Sequence, residues 1–74
     1  NIMKTILTVK NSNNKEYRVR EFKSDVAINA LSHYIIDTFE TRLNASKQEV
    51  EGYYYVSCAD TENELNSILN ILTN

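Results

Sequence analysis

The sequence has few of the residues that cofactor and metal sites require. Gly52 is the only glycine among 74 residues, which excludes the glycine-rich loops that bind nucleotide phosphates. Cys58 is the only cysteine and His33 the only histidine. One of each provides neither an internal disulfide framework nor the ligand set of a structural zinc site. We therefore expect no cofactor and no metal.

Long apolar runs are also absent. No stretch approaches the roughly 18 consecutive apolar residues of a membrane-spanning helix, and the N-terminus lacks a signal-peptide pattern. These absences predict a cytoplasmic protein with no membrane partner. Asn1 and Ile2 precede Met3, and we interpret them as a cloning remnant. The remaining residues, 3–74, are expected to form a single domain.

Proline is missing, and residue types with GC-rich codons are scarce. Gly, Ala, Arg and Pro together account for 8 residues, whereas Phe, Tyr, Met, Ile, Asn and Lys account for 30. This bias indicates an AT-rich genome. An AT-rich bacterial chromosome, a phage and a plasmid or other mobile element all fit it, and the shortness of the chain favours a phage or mobile element.

The first part of the chain predicts a β-hairpin. Its strands are expected at residues 3–10 and 16–22, where β-branched types are frequent and apolar residues alternate with polar ones. An Asn-rich stretch between them is typical of a turn. We expect Val9 opposite Tyr17 and Leu7 opposite Val19, because a slip by one residue would bury arginines instead.

Residues 25–43 predict an amphipathic helix with Ser24 as its N-cap. Apolar side chains recur there every four residues, which is typical of one helix face packed on a sheet. They are Ala27, Leu31, Ile35, Phe39 and Leu43. In this interpretation His33, Ile36 and Asp37 lie away from that face.

Residues 49–58 predict a third strand, in which Gly52 is expected to form a bulge or bend. Alternation places Tyr53 and Tyr55 on the outward side of this strand and Cys58 on the inward side. His33 and Cys58 could in principle form a base and a nucleophile, but Cys58 then faces the core while His33 faces outward from its helix. A small buried hydrophobic residue is the favoured role for Cys58. We therefore predict that the chain is not an enzyme.

The C-terminal residues predict a second helix that begins at Asp60 or Thr61. Thr61 and Glu64 have the spacing of a capping box, and four apolar residues follow at helical spacing. They are Leu65, Ile68, Leu69 and Leu72. The predicted order is β-β-α-β-α, an α+β fold with a small antiparallel sheet and two helices packed on one face.

Charge is distributed unevenly along the chain. Residues 1–23 contain six basic and two acidic side chains, a net charge of +4, whereas residues 24–74 contain two basic and eight acidic side chains, a net charge of −6. A basic hairpin is therefore joined to an acidic remainder. The candidate binding residues share the predicted outward sheet face. They are Lys4, Lys10, Arg18, Arg20, Phe22, Tyr53 and Tyr55.

Two functions compete for this face. Tyrosine, phenylalanine and arginine are enriched at protein interfaces, and basic sheets with exposed tyrosines also bind single-stranded nucleic acid. The acidic remainder opposes an approach to phosphates, so protein binding is the first choice and nucleic-acid binding the alternative.

The sequence thus predicts a small accessory protein of a phage or mobile element, acting in a bacterial cytoplasm. It would inhibit or redirect a host protein, for example a defence protein, by occupying its surface. The short chain and thin core also predict a homodimer.

Overall fold

The computed structural model describes residues 2–23 and 33–74. Within them, four strands form one antiparallel sheet in the order β1-β2-β3-β4, and one helix follows. The elements are β1 Ile2–Lys10, β2 Glu16–Lys23, β3 Tyr34–Leu43, β4 Glu49–Ala59 and α1 Glu62–Thr73. The protein is a small α+β domain with the order β-β-β-β-α. The predicted order β-β-α-β-α, with two helices on the sheet, is wrong.

The β1–β2 hairpin forms in the predicted register. Val9 lies opposite Tyr17 and Leu7 opposite Val19. Tyr17 and Val19 are buried, which confirms the side of the hairpin that was expected to face the core. Strict alternation of apolar and polar residues was sufficient to fix this pairing, since a slip by one residue exchanges the two faces.

β3 occupies residues for which the spacing predicted a helix. The helix expected over 25–43 is wrong for Tyr34–Leu43 and for His33, which lies in a bend. Its remaining residues, 25–32, with the expected N-cap Ser24, lie outside the described residues. The start of β3 is rich in aromatic and β-branched side chains, which favour a strand. β3 also pairs with β4 along its length and with β2 over residues 34–39, so its first half has partners for its backbone hydrogen bonds along both edges.

The core lies between the sheet and α1. Its buried side chains are Tyr17, Val19, Tyr34, Ile36, Ala59 and Leu65. Val19 and Ile36, directly opposite each other on β2 and β3, have no exposed surface. Ile36 was expected to lie away from the core and Phe39 to face it. The alternation of a strand reverses both positions, and Phe39 is 40% exposed on the other side of the sheet.

β4 confirms the predicted third strand but not the position of its irregularity. Gly52 pairs with β3 in regular register, whereas the register shifts between Tyr55 and Ser57, so that Val56 is the extra residue. A bulge of this kind reverses the alternation beyond it. Cys58 is consequently exposed instead of buried, contrary to the expectation from the sequence.

α1 begins as the capping pattern predicted. The Thr61 Oγ1 accepts a hydrogen bond from the Glu64 N–H at 3.2 Å. The Glu64 carboxylate in turn accepts one from the Asp60 N–H at 3.3 Å. Leu65 is buried, and the other apolar residues of the predicted helix face pack against the core. They are Ile68, Leu69 and Leu72.

The turn between β3 and β4 is built on one asparagine side chain. The Asn44 Oδ1 accepts hydrogen bonds from the N–H groups of Ser46 and Gln48, at 2.9 and 3.0 Å. Asn11 has the same role in the β1–β2 turn, where it accepts two backbone N–H groups at 2.9 Å. Lys47 has a left-handed backbone conformation with φ of 62°, which residues other than glycine and asparagine rarely adopt.

α1 packs on one side of the sheet. The opposite side, on which no other element of residues 2–23 and 33–74 packs, is called the open face. Strand alternation and the observed registers assign its residues in β2, β3 and β4. They are Glu16, Arg18, Arg20, Phe22, Ile35, Asp37, Phe39, Thr41, Leu43, Glu49, Glu51, Tyr53, Tyr55 and Cys58.

Candidate interaction surface

A buried carboxylate lies at the centre of the open face. Asp37 is 2% exposed and lies on β3 directly opposite Arg18 of β2. Arg20, two residues further along β2, lies on the same face. The strand pairing therefore places two guanidinium groups beside one carboxylate.

Both arginines bind Asp37 through two nitrogen atoms. The Arg18 Nε and Nη2 donate to Asp37 Oδ2 at 3.1 and 2.9 Å. The Arg20 Nε donates to Oδ2 at 2.7 Å and its Nη2 to Oδ1 at 3.2 Å. Hydrogen bonds between charged groups are the strong ones, and the flat guanidinium fits a carboxylate through two parallel donors. These bonds compensate for the burial of the Asp37 charge.

Tyr53 is held between three neighbours. The Arg18 Cζ lies 3.7 Å from the centroid of its ring, within the range of a cation–π contact. Phe39 packs against the same ring edge to face, with centroids 5.1 Å apart and planes at 70°. The Tyr53 hydroxyl donates a hydrogen bond to the Glu16 carboxylate. The ring is therefore fixed in position although it is 38% exposed.

Hydrogen bonds raise the pKa of two tyrosines on this face above the ordinary value. For Tyr53 the main cause is the bond to the Glu16 carboxylate, to which desolvation and the negative charge of Glu16 add, while the positive charge of Arg18 opposes them. For Tyr55 the main cause is a hydrogen bond with the Cys58 side chain, and desolvation adds to it. Both phenols are therefore neutral hydrogen-bonding groups at physiological pH.

Charges on the open face balance locally. Glu16, Arg18, Arg20 and Asp37, which we call the charged cluster, contain two acids and two bases and carry no net charge. Lys10 lies opposite Glu16 in the sheet register. Residues 1–23 have a net charge of +4. The negative charge of Asp37, on β3, offsets part of this positive charge. The face is less basic than the hairpin sequence alone indicated.

The structure brings most of the predicted binding residues onto one face. Arg18 and Arg20 both bind Asp37, and Arg18 also stacks on the Tyr53 ring. Tyr55 of β4 lies opposite Asp37. Phe22 is half-buried on the same face, near the end of β2.

The two predicted lysines lie apart from this group. Lys10 is exposed beside Glu16, at the end of β1. Lys4 lies opposite Glu21 in the sheet register. The register shift between Thr5 and Leu7 breaks the alternation between Lys4 and the later residues of β1. Lys4 therefore falls on the side of the sheet that α1 occupies, not on the open face as predicted.

Three residues of the candidate surface were not among the predicted binding residues: Glu16, Asp37 and Phe39. Asp37 and Phe39 were assigned to a helix, so their position beside the β2 arginines was not visible. The strand-favouring composition of Tyr34–Phe39 was the signal that could have placed them. Glu16 was recognised as part of a strand, but its contact with Tyr53 joins residues 37 positions apart.

Neither a metal site nor a membrane span is found within residues 2–23 and 33–74. No three His, Cys, Asp or Glu side chains there are grouped to hold a metal ion, and no helix is both long and apolar enough to cross a membrane. In comparisons with known proteins, no family model, curated protein or solved structure matches the chain. Function is therefore inferred from the geometry of the open face.

Proposed function

We propose that the chain is a non-enzymatic protein-binding module whose open face contacts the partner. The observation that carries this proposal is the stacked pair of Arg18 and Tyr53. Arginine and tyrosine are among the residue types that contribute most to protein interfaces. Asp37, Phe39 and Glu16 hold the pair in place before any partner arrives. Side chains that are already ordered lose little conformational entropy on binding.

The apolar surface around this pair supports a protein partner. Phe39 is 40% exposed and Tyr55 is 63% exposed, and both lie beside Tyr53 in the sheet. Exposed aromatic side chains that adjoin one another are characteristic of interaction sites.

Nucleic-acid binding is the less favoured function for this face. Phosphate contacts require basic groups whose charge is available, and the two arginines of the face are paired with Asp37. Residues 24–74 also carry a net charge of −6, which repels a polyanion at long range.

The biological setting remains a prediction from composition and chain length. In this setting the protein is an accessory of a phage or mobile element, acts in a bacterial cytoplasm, and occupies a surface of a host protein such as a defence protein. The homodimer also remains a prediction. Light scattering over a hundredfold concentration range around micromolar tests it, because a monomer mass throughout contradicts self-association.

Site-specific photo-crosslinking tests the proposed surface. A benzophenone amino acid replaces Tyr55 on the open face in one variant and Ile71 on α1 in a control, since both positions are well exposed, at 63% and 76%. Each variant is irradiated in a lysate of a bacterium that has an AT-rich genome. We expect Tyr55 to crosslink to one protein that Ile71 does not reach.

The crosslinked protein is then purified and its affinity measured by calorimetry. Tyr53→Ala should weaken binding about 30-fold or more, the loss of a central interface residue at roughly 2 kcal/mol. Ile71→Ala should leave the affinity unchanged. Equal crosslinking from both positions, or an unchanged affinity for Tyr53→Ala, contradicts the proposal.

A further inference from the structure

Arg18 and Arg20 together have the geometry of an anion-binding site. They present neighbouring guanidinium groups from one strand, and four of their N–H donors converge on one pair of oxygen atoms at 2.7–3.2 Å. Paired guanidinium groups of this kind bind phosphate as readily as carboxylate. Here the anion belongs to the protein itself, and it is 2% exposed.

We propose that Asp37 is a specificity-determining residue, which occupies the anion site of Arg18 and Arg20 and so prevents the open face from binding the phosphate groups of nucleic acids. The inference rests on the proposed role of the open face as the contact surface, and it concerns the partners that this face rejects. Specificity arises in part from interactions that disfavour the wrong partner.

Three physical effects make this exclusion strong. A phosphate that bound the arginines would have to displace Asp37, which would leave a carboxylate buried without its partners. Asp37 is also tethered beside the arginines by the sheet, so its effective concentration there is far above that of a dissolved anion. A phosphate approaching the undisturbed site meets the negative charges of both Asp37 and Glu16.

The test compares two substitutions that change the net charge equally. Asp37→Asn removes the carboxylate from the site with little change in shape. Glu49→Gln removes an exposed carboxylate of the same face at the start of β4, well separated along the strand from Tyr55, which lies opposite Asp37. The probe is a fluorescent oligothymidylate of about 20 nucleotides, long enough to span a single-strand binding face. Affinity is measured by anisotropy at about 0.15 M ionic strength, where the screening length is about 8 Å.

We expect Asp37→Asn to bind the oligonucleotide at least about tenfold more tightly than the unmodified chain, a difference of about 1.4 kcal/mol. Glu49→Gln should change the affinity little, and adding Arg18→Gln and Arg20→Gln to Asp37→Asn should abolish the gain. An equal gain in Asp37→Asn and Glu49→Gln would show a general effect of charge and overturn the inference. No gain in a folded Asp37→Asn would also overturn it.

A second measurement uses the unmodified chain and does not depend on how the variants fold. Inorganic phosphate is titrated while the Nε–H signals of Arg18 and Arg20 are followed by NMR. We expect no saturable shift at millimolar phosphate, because Asp37 holds these donors. A saturable shift of both signals overturns the inference. Failure of the inference leaves the crosslinking result at Tyr55 intact, whereas failure of that crosslink contradicts the proposed function itself.

Discussion

Two neighbouring isoleucines provide a sharp test of the fold. Ile36 has no exposed surface and lies against Val19, whereas Ile35 is half-buried on the open face. The spacing of apolar residues had predicted the reverse, with Ile35 inward on a helix and Ile36 outward. Truncation of the two side chains removes the same atoms from adjacent positions, so a difference in the loss of stability reports their burial.

The magnitude follows from burial and from the size of the domain. A chain of this length has a free energy of unfolding of roughly 4–11 kcal/mol. Ile36→Ala would remove about 4 kcal/mol of it, which leaves little for a reliable measurement. Ile36→Val is the better variant, because loss of one buried methylene costs about 1 kcal/mol. Ile35→Val should cost less than about 0.5 kcal/mol, since part of that side chain is already in water.

Urea denaturation followed by circular dichroism measures both variants. With a denaturant dependence of about 1 kcal/mol/M for a small protein, Ile36→Val should lower the urea midpoint by about 1 M. Ile35→Val should lower it by less than half of that. A larger loss for Ile35→Val than for Ile36→Val would refute the strand assignment of this segment and the core described above.

Three further predictions concern the turn, the helix cap and the charged cluster. Lys47→Gly should stabilise the protein by about 0.5–1 kcal/mol in urea denaturation, because glycine adopts φ of 62° without strain; Ser46→Gly, at a neighbouring position without positive φ, should destabilise it. Thr61→Ala should cost about 1 kcal/mol in the same assay, because the cap of α1 is lost. Glu16→Gln should lower the pKa of Tyr53 toward its ordinary value in an NMR titration, since the Glu16 hydrogen bond is the main cause of its elevation. Because folding raises the pKa of Tyr53, the contribution of this contact to the free energy of unfolding is present at neutral pH and is lost as the pH rises through the folded-state pKa. An unchanged Tyr53 titration in Glu16→Gln contradicts the observed contact.

The sequence was informative where alternation was strict. In the β1–β2 hairpin, apolar and polar residues alternate, and only one register places Leu7 and Val9 on the same side of the sheet as the buried Tyr17 and Val19. The capping pattern at Thr61 was equally informative, because a hydroxyl followed by an acid three residues later satisfies local hydrogen bonds whatever the rest of the fold is.

The spacing of the apolar residues in β3 led to the wrong prediction because it fits both a helix and a strand. Ile35, Phe39 and Leu43 are four residues apart, which places them on one side of a helix and also on one side of a strand. In the structure they do share a face, but it is the open face and not the core. The residues that alternate with them distinguish the two structures, since burial of Tyr34, Ile36 and Thr38 at every second position fits a strand and not a helix.

The site was predictable in part. Arg18, Arg20, Tyr53 and Tyr55 could be placed on one face from alternation alone. The carboxylate that joins the arginines could not, because Asp37 comes from the strand whose type was mistaken. Bulges also carry no clear signal in the pattern of polarity, and for that reason Cys58 and Lys4 were assigned to the wrong sides of the sheet.

The salt dependence of the affinity for the crosslinked partner shows whether the open face binds a protein through Arg18 and Tyr53 while the charged cluster keeps its own charges paired. The dissociation constant is measured from about 0.05 to 0.5 M salt, a range in which the screening length falls severalfold. We predict a shallow dependence, because the energy comes from desolvated aromatic and arginine contacts. A log–log slope of about −2 or steeper, as large as that for about three phosphate contacts on a single-stranded nucleic acid at roughly −0.7 each, would show that ion pairing dominates the affinity and would contradict this prediction.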